Sequence, residues 1–213
     1  MEATTNCGGD YPGSTYLLAT PVDDLWACAQ VTGFVYDASE PSTNCGAGTP
    51  VSAYRLRVPV DGLWACGPGT YNGFVFDEVV YSTNCDAGVE TPQYHLRKPA
   101  NDLWSCLQVT GFVYDELVSS TACAVSGSEP MYHLRTPVDG LWGCGPGTYN
   151  GFTYDQIEDG SNCGPYPTAQ YHLRKPVAGL WACAVPSGWL YSQVKQVSTC
   201  LIGETANEYL LEA

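Results

Sequence analysis

Apolar and polar residues alternate one by one along short stretches of this chain. Tyr94 and Leu96 point one way and His95 and Arg97 the other, while Phe74 and Phe76 share a side opposite Val75, Asp77 and Val79. A period of two places successive side chains on opposite faces of an extended strand. Nowhere is a helical period sustained over an 11-residue window, so the pattern predicts an all-β chain. Between the alternating stretches lie turn signals. Pro59-Val60-Asp61-Gly62 and Pro137-Val138-Asp139-Gly140 set Pro and Asp-Gly between two short apolar segments, as a tight hairpin requires. Asp23-Asp24, Asn101-Asp102 and Ala178-Gly179 fill the same slot.

The strands recur. Aligned on its tryptophans, the chain contains five copies of a unit of about 39 residues, each reading Y-x-L-x-x-P, a turn, L-W-x-C, a loop, G-F-V-Y-D and a final S-T-N-C. Counted from the tyrosine, the copies span 16–53, 54–93, 94–131, 132–170 and 171–200, with a half repeat at 1–15 and another at 201–213. Copies one and three share Q-V-T-G-F-V-Y-D and copies two and four share C-G-P-G-T-Y-N-G-F, so the duplicated element is a pair. A unit this short cannot bury a core alone and needs neighbours or staples. Trp26, Trp64, Trp104, Trp142 and Trp181, with Leu63 and its equivalents, are the expected core of a stack, because aromatic rings bury the largest area per residue.

The expected architecture is a linear, solenoid-like tandem array of disulfide-stapled hairpin or three-stranded repeats; the alternative is a five-bladed β-propeller. Two features favour the array. Thr5-Asn6-Cys7 repeats the closing motif ahead of the first copy, and Asn207-Glu208-Tyr209-Leu210-Leu211 repeats the opening of a sixth, a surplus for which a closed ring has no vacancy. Charges agree: Asp37, Asp77, Asp115 and Asp155 share a slot that Ser192 takes in copy five, and Arg57, Arg97, Arg135 and Arg174 share one that Ala19 takes in copy one. Pairing each Asp with the Arg of the next copy gives four inter-repeat ion pairs and leaves none over.

Eleven cysteines point to a disulfide framework in an oxidising compartment, and hence to a secreted or cell-surface protein. The interval from an S-T-N-C cysteine to the following W-x-C cysteine is nearly constant, whereas the other interval switches between 17 and 19. Constancy favours Cys7 with Cys28, Cys45 with Cys66, Cys85 with Cys106, Cys123 with Cys144 and Cys163 with Cys183, leaving Cys200 as the odd thiol. Met1-Glu2-Ala3 lacks the basic, then apolar, start of a signal peptide, and Met1 reads as added to a mature segment.

Eight Lys and Arg against 22 Asp and Glu give a formal charge of −14, which repels a phosphate backbone or an anionic membrane surface. No run of residues is long and apolar enough for membrane insertion as a helix. Chemistry is equally sparse. His95, His133 and His172 share one slot, filled by Arg55 in copy two and Leu17 in copy one, which reads as a tolerant strand position; no metal, cofactor or catalytic motif stands out. The best contact surface is the Gly-rich loop of copies two and four, where Tyr71 and Asn72, with Tyr149 and Asn150, could stack on and hydrogen-bond to a sugar; the competing role is that Asn-Gly makes the turn and Tyr covers the edge of the stack. The expected function is a non-enzymatic extracellular binding or adhesion module, lectin-like and multivalent toward a glycan or cell-surface ligand. The alternative is a structural subunit that self-associates end to end through its terminal half repeats into a filament or surface layer.

Overall fold

The computed structural model describes residues 2–4, 13–15, 19–46, 49–67, 69, 71–145, 149, 151–164 and 168–213. Among them lie seventeen strands and a single 3-10 turn, Thr121–Cys123, with no α-helix. The strands are β1 (Glu2–Thr4), β2 (Gly13–Thr15), β3 (Leu25–Ala27), β4 (Val35–Ser42), β5 (Val51–Arg57), β6 (Trp64–Cys66), β7 (Val75–Asp86), β8 (Val89–Arg97) and β9 (Leu103–Ser105). They continue as β10 (Val113–Ser120), β11 (Glu129–Arg135), β12 (Trp142–Cys144), β13 (Thr153–Gly160), β14 (Thr168–Arg174), β15 (Trp181–Ala182), β16 (Leu190–Val197) and β17 (Ala206–Glu212). The chain forms two compact units, Met1–Lys98 with Ala124–Gly127, and Pro99–Cys123 with Ser128–Ala213.

Three consecutive strands make one structural repeat. A short L-W-x-C strand, a long middle strand and a Y-x-L-R strand form an antiparallel sheet in which the last strand lies in the centre, as in β3-β5-β4 and β15-β17-β16. The middle strand carries a bulge at its Asp, between Tyr36 and Ala38 in β4 and between Phe76 and Glu78 in β7, which turns the carboxylate toward the central strand. This frame starts at the L-W-x-C strand rather than at the tyrosine. The trailing segment expected as a surplus half repeat is therefore β17, the central strand of the fifth repeat, and is already fully paired with β15 and β16. At the other end β1 and β2 pair as the outer part of such a hairpin, Glu2 opposite Thr15.

Repeats share sheets. In the first compact unit Tyr36 bridges Cys66 and the order becomes β3-β5-β4-β6-β8-β7; in the second, Tyr114 bridges Cys144 and the order is β13-β14-β12-β10-β11-β9. Both six-stranded sheets are open at their ends, and a sheet shared by two repeats is not a propeller blade, so the propeller alternative is not met.

The core differs from the sequence expectation. Leu56, Leu96, Leu134, Leu173 and Leu211, one in each central strand, are essentially inaccessible, whereas Trp26 is 41% exposed and the other four tryptophans of the L-W-x-C strands are half-buried. The reason is register. In the L-W-x-C strand the Trp side chain faces the charged side of the sheet, opposite Arg55 or a His, and the inward side is held by Ala65, Ser105, Gly143 and Ala182. Small residues there let the next repeat approach: Val35 packs against Ala65 and Leu96 of the repeat that follows, and a Cβ on Gly143 would lie 3.6 Å from a Val113 methyl. Each leucine is also fixed through its backbone. Its carbonyl accepts the turn N–H of its own repeat, Gly62 to Leu96 and Gly140 to Leu173 at 2.8 Å, with Asp24 and Asp102 serving Leu56 and Leu134. The turn residue has φ near 64° at Asp24 and Asp102 and near 80° at the glycines, the left-handed conformation that Gly adopts without steric cost.

The disulfides are Cys28–Cys45, Cys66–Cys85, Cys106–Cys123, Cys144–Cys163 and Cys183–Cys200. All five expected pairings are therefore overturned and Cys200 is bonded; Cys7 lies outside the described residues. The constant interval measures the hairpin from the middle to the central strand and the turn that follows, whose lengths the sheet fixes. The variable interval contains the loop that alternates between repeats, and a disulfide tolerates either length because its geometry depends only on the two strand ends it joins. Each bridge ties the two outer strands of one repeat, and closing a loop of this size stabilises the fold by roughly 3 kcal/mol in the chain-entropy model.

Peptide mapping of the unreduced protein should recover Cys28–Cys45 and its four equivalents at separations of 17 or 19 residues, and no peptide joining Cys45 to Cys66. Leu96→Ala should destabilise the protein by about 2–5 kcal/mol and Trp64→Ala by less, measured by denaturant unfolding with the disulfides intact; the reverse order would return the core to the tryptophans.

Candidate functional site

The charged face of each sheet carries a row built the same way in repeats two to four. The Trp64 indole stacks on the His95 imidazole with centroids 4.9 Å apart; His95 Nδ1 lies 2.7 Å from Asp77 Oδ1, and Arg97 Nη1 donates to Asp77 Oδ2 at 2.6 Å. Arg97 Nε reaches Asp61 Oδ1 at 3.2 Å, and Asp61 also accepts the backbone N–H of Lys98 at 2.7 Å. Trp104, His133, Asp115 and Arg135 repeat the row in the third repeat, as do Trp142, His172, Asp155, Arg174 and Asp139 in the fourth. In the first repeat Arg55 stands in the His slot and its Nε donates to Asp37 at 2.7 Å, beside Arg57 Nη1 at the same distance.

Asp37 with Arg57, Asp77 with Arg97, Asp115 with Arg135 and Asp155 with Arg174 are thus joined, as the charge pattern suggests, but each pair lies within one three-stranded repeat instead of between repeats. The half-repeat offset in the frame accounts for the difference. The fifth repeat carries Ser192, Leu210 and Glu212 at the Asp, His and Arg positions. There Lys195 takes over, its ammonium 4.0 Å from the centre of the Trp181 ring and 2.7 Å from Glu208.

Chemically the row is a charge ladder clamped at one end by an indole. A slot that holds imidazole in three repeats and guanidinium in a fourth, always within hydrogen-bond distance of the repeat's aspartate, is filled by a planar nitrogen group. At the far end the turn carboxylates are held below the ordinary carboxylate range, for Asp61 and Asp139 first by the backbone N–H of Lys98 and Lys175 and then by Arg97 and Arg174. Asn101 makes the same turn contact without a charge, accepting the N–H of Thr136 at 2.9 Å.

The loop residues singled out in the sequence have a structural task. Tyr71 Oη accepts the N–H of Gly33 in the preceding repeat at 2.6 Å and its ring covers the Val35, Ala65 and Leu96 cluster; Tyr149 Oη accepts the N–H of Gly111 at 2.8 Å. Asn72 is exposed, with φ of 42° at the turn between Tyr71 and Phe74. Asn150 lies outside the described residues.

No protein-family model matches the chain, and no curated protein or solved structure matches it either.

A feature the sequence reasoning passed over is a hollow of about 370 Å³ between the first and second repeats, lined by Tyr36, Tyr54, Tyr94, Ser39, Asp86 and Thr91 among others. Two breaks in the repetition fall at its lining. The position two residues beyond the conserved Asp is Val79, Leu117, Ile157 and Val194 in the later repeats but Ser39 in the first. The residue after the second disulfide cysteine is Gly46, Ala124, Gly164 or Leu201 elsewhere and Asp86 here. A slot-by-slot comparison of the copies would have found both. Ser39 Oγ donates to Cys85 O at 2.9 Å, and Thr91 Oγ1 is buried without a hydrogen-bond partner among the described residues.

A carboxyl whose folded pKa lies below its unfolded value stabilises the fold at pH above the unfolded value, near 3.8 for Asp61 and Asp139, and loses that contribution as pH falls through the folded value. The melting temperature should therefore drop on acidification below about pH 4. Asp61→Asn with Asp139→Asn, which copies the neutral cap at Asn101, should flatten that slope; an unchanged slope would show that the turn carboxylates do not supply it.

Proposed function

We propose that the chain is a secreted, non-enzymatic structural repeat protein that extends itself by docking the first repeat of a second copy onto its fifth. Five disulfides fit an oxidising compartment, and no helix among the described residues is long and apolar enough to cross a membrane. A His slot that also accepts Arg supports a role without proton transfer, and the Tyr71 and Tyr149 hydroxyls needed for a lectin-like loop are already engaged.

The observation that carries the reading is the exposure of Leu190, at 69%. The same position is Val35, Val75, Val113 and Thr153 in the first four repeats, and these are 7%, 6%, 6% and 0% exposed. Thr153 Oγ1 donates to Ala184 O of the fifth repeat at 2.7 Å, the contact a successor supplies. Val194, 46% exposed, occupies the slot where Leu117 reaches across to the next repeat, and Tyr191 of the same strand is exposed too. The fifth repeat thus presents the face that earlier repeats cover. On the first repeat Ala27 is only half-buried where Ala65 and Ala182 are inaccessible, and Trp26 is exposed.

Sedimentation of the oxidised protein over a range of concentrations should reveal reversible self-association. Burying one leucine is worth about 1.5–3 kcal/mol, so Leu190→Asp with Val194→Asp should weaken association by at least about tenfold with an unchanged circular dichroism spectrum. A wild-type protein that stays monomeric to its solubility limit would sink the proposal.

A further inference from the structure

We infer that the hollow between the first and second repeats is a binding site for a short neutral oligosaccharide. Its location is independent of the end face, and its chemistry is specific. Tyr36, Tyr54 and Tyr94 give it an aromatic lining, with Tyr36 and Tyr54 in edge-to-face contact at 5.0 Å, and such rings offer apolar surface with a polar tip. Ser39, Ser52, Thr91 and the carboxylate of Asp86 supply donors and acceptors around it. An aromatic lining ringed by hydroxyls and one carboxylate complements a ligand that alternates C–H faces with hydroxyl groups. A volume of about 370 Å³ falls in the range of small-ligand sites. The Asp86 carboxylate and a net charge of −14 oppose sulfated or uronic acid chains.

The strongest support comes from the junction of the third and fourth repeats, where a leucine fills the corresponding position. Between the third and fourth repeats Leu117 stands where Ser39 does and its Cδ2 lies 3.0 Å from the Cβ position of Gly164, the residue that replaces Asp86. Tyr114, Tyr132 and Tyr171 stand there at the slots of Tyr36, Tyr54 and Tyr94, so the tyrosines belong to the repeat, whereas the opening belongs to Ser39 and the carboxylate to Asp86.

The test is calorimetric titration of the oxidised full chain with cello-, xylo-, manno-, malto-, laminari- and chito-tetraose, and with heparin as an anionic probe. At least one neutral sugar should bind with one site per chain, and heparin should not. Ser39→Leu, which copies Leu117, should weaken that binding at least tenfold while leaving the melting temperature near that of the wild type. Asp86→Ala, which copies Ala124 at an exposed position, should weaken it several-fold and serves if the first variant folds poorly. Binding to none of the six neutral sugars, preferential binding of heparin, or binding that survives both substitutions would overturn the assignment.

Discussion

Everything in this molecule depends on one repeat lending its inner face to the next. A sheet of three short strands has two faces and too few residues to cover either. One leucine per central strand closes the inner side, and the residue that begins each middle strand, Val35 or Val113, must be covered by the following repeat. That requirement fixes the small residues of the L-W-x-C strands, since a larger side chain at Ala65 or Gly143 would hold the repeats apart. The corresponding face of the fifth repeat is apolar for the same reason, with Leu190 and Val194 exposed on it.

The alternation of loops follows from the same stacking. Repeats two and four carry the long loop whose Tyr71 or Tyr149 hydroxyl caps the Gly33 or Gly111 N–H of the short loop before it. A long loop therefore needs a short one behind it, which is a physical reason for a duplicated pair. Disulfides of 19 and 17 residues accommodate the two loop lengths without moving the strands they tie.

Much of this was legible in the chain. Period-two alternation, the Asp-Gly turns and the tandem copies led to all-β repeats, and the co-occurrence of Asp and Arg slots correctly matched Asp77 with Arg97. Two misreadings share one cause. Trp64 looked like core because it is large, and constant cysteine spacing looked like a closed loop, yet both depend on which strand lies in the middle of the sheet, a property of three-dimensional order that spacing along the chain does not encode. The tyrosine-lined hollow was hidden differently: its signal, Ser39 and Asp86, is a pair of departures from the repeat, and attention to what recurs passes over what does not.

Departures from repetition are also where the energetics are most informative. Had the fifth repeat lost only the arginine of its charge row, the aspartate at the bulge would have been left half-buried without its counter-charge, a costly arrangement. Instead Ser192, Leu210 and Glu212 replace Asp, His and Arg together, and Lys195 covers Trp181 and pairs with Glu208. The row behaves as a unit that is kept or removed whole. Its removal takes the conserved aspartate from the middle strand of the one repeat where Leu190 and Val194 are bare, and a face relieved of that buried charge has less to desolvate when another surface settles on it.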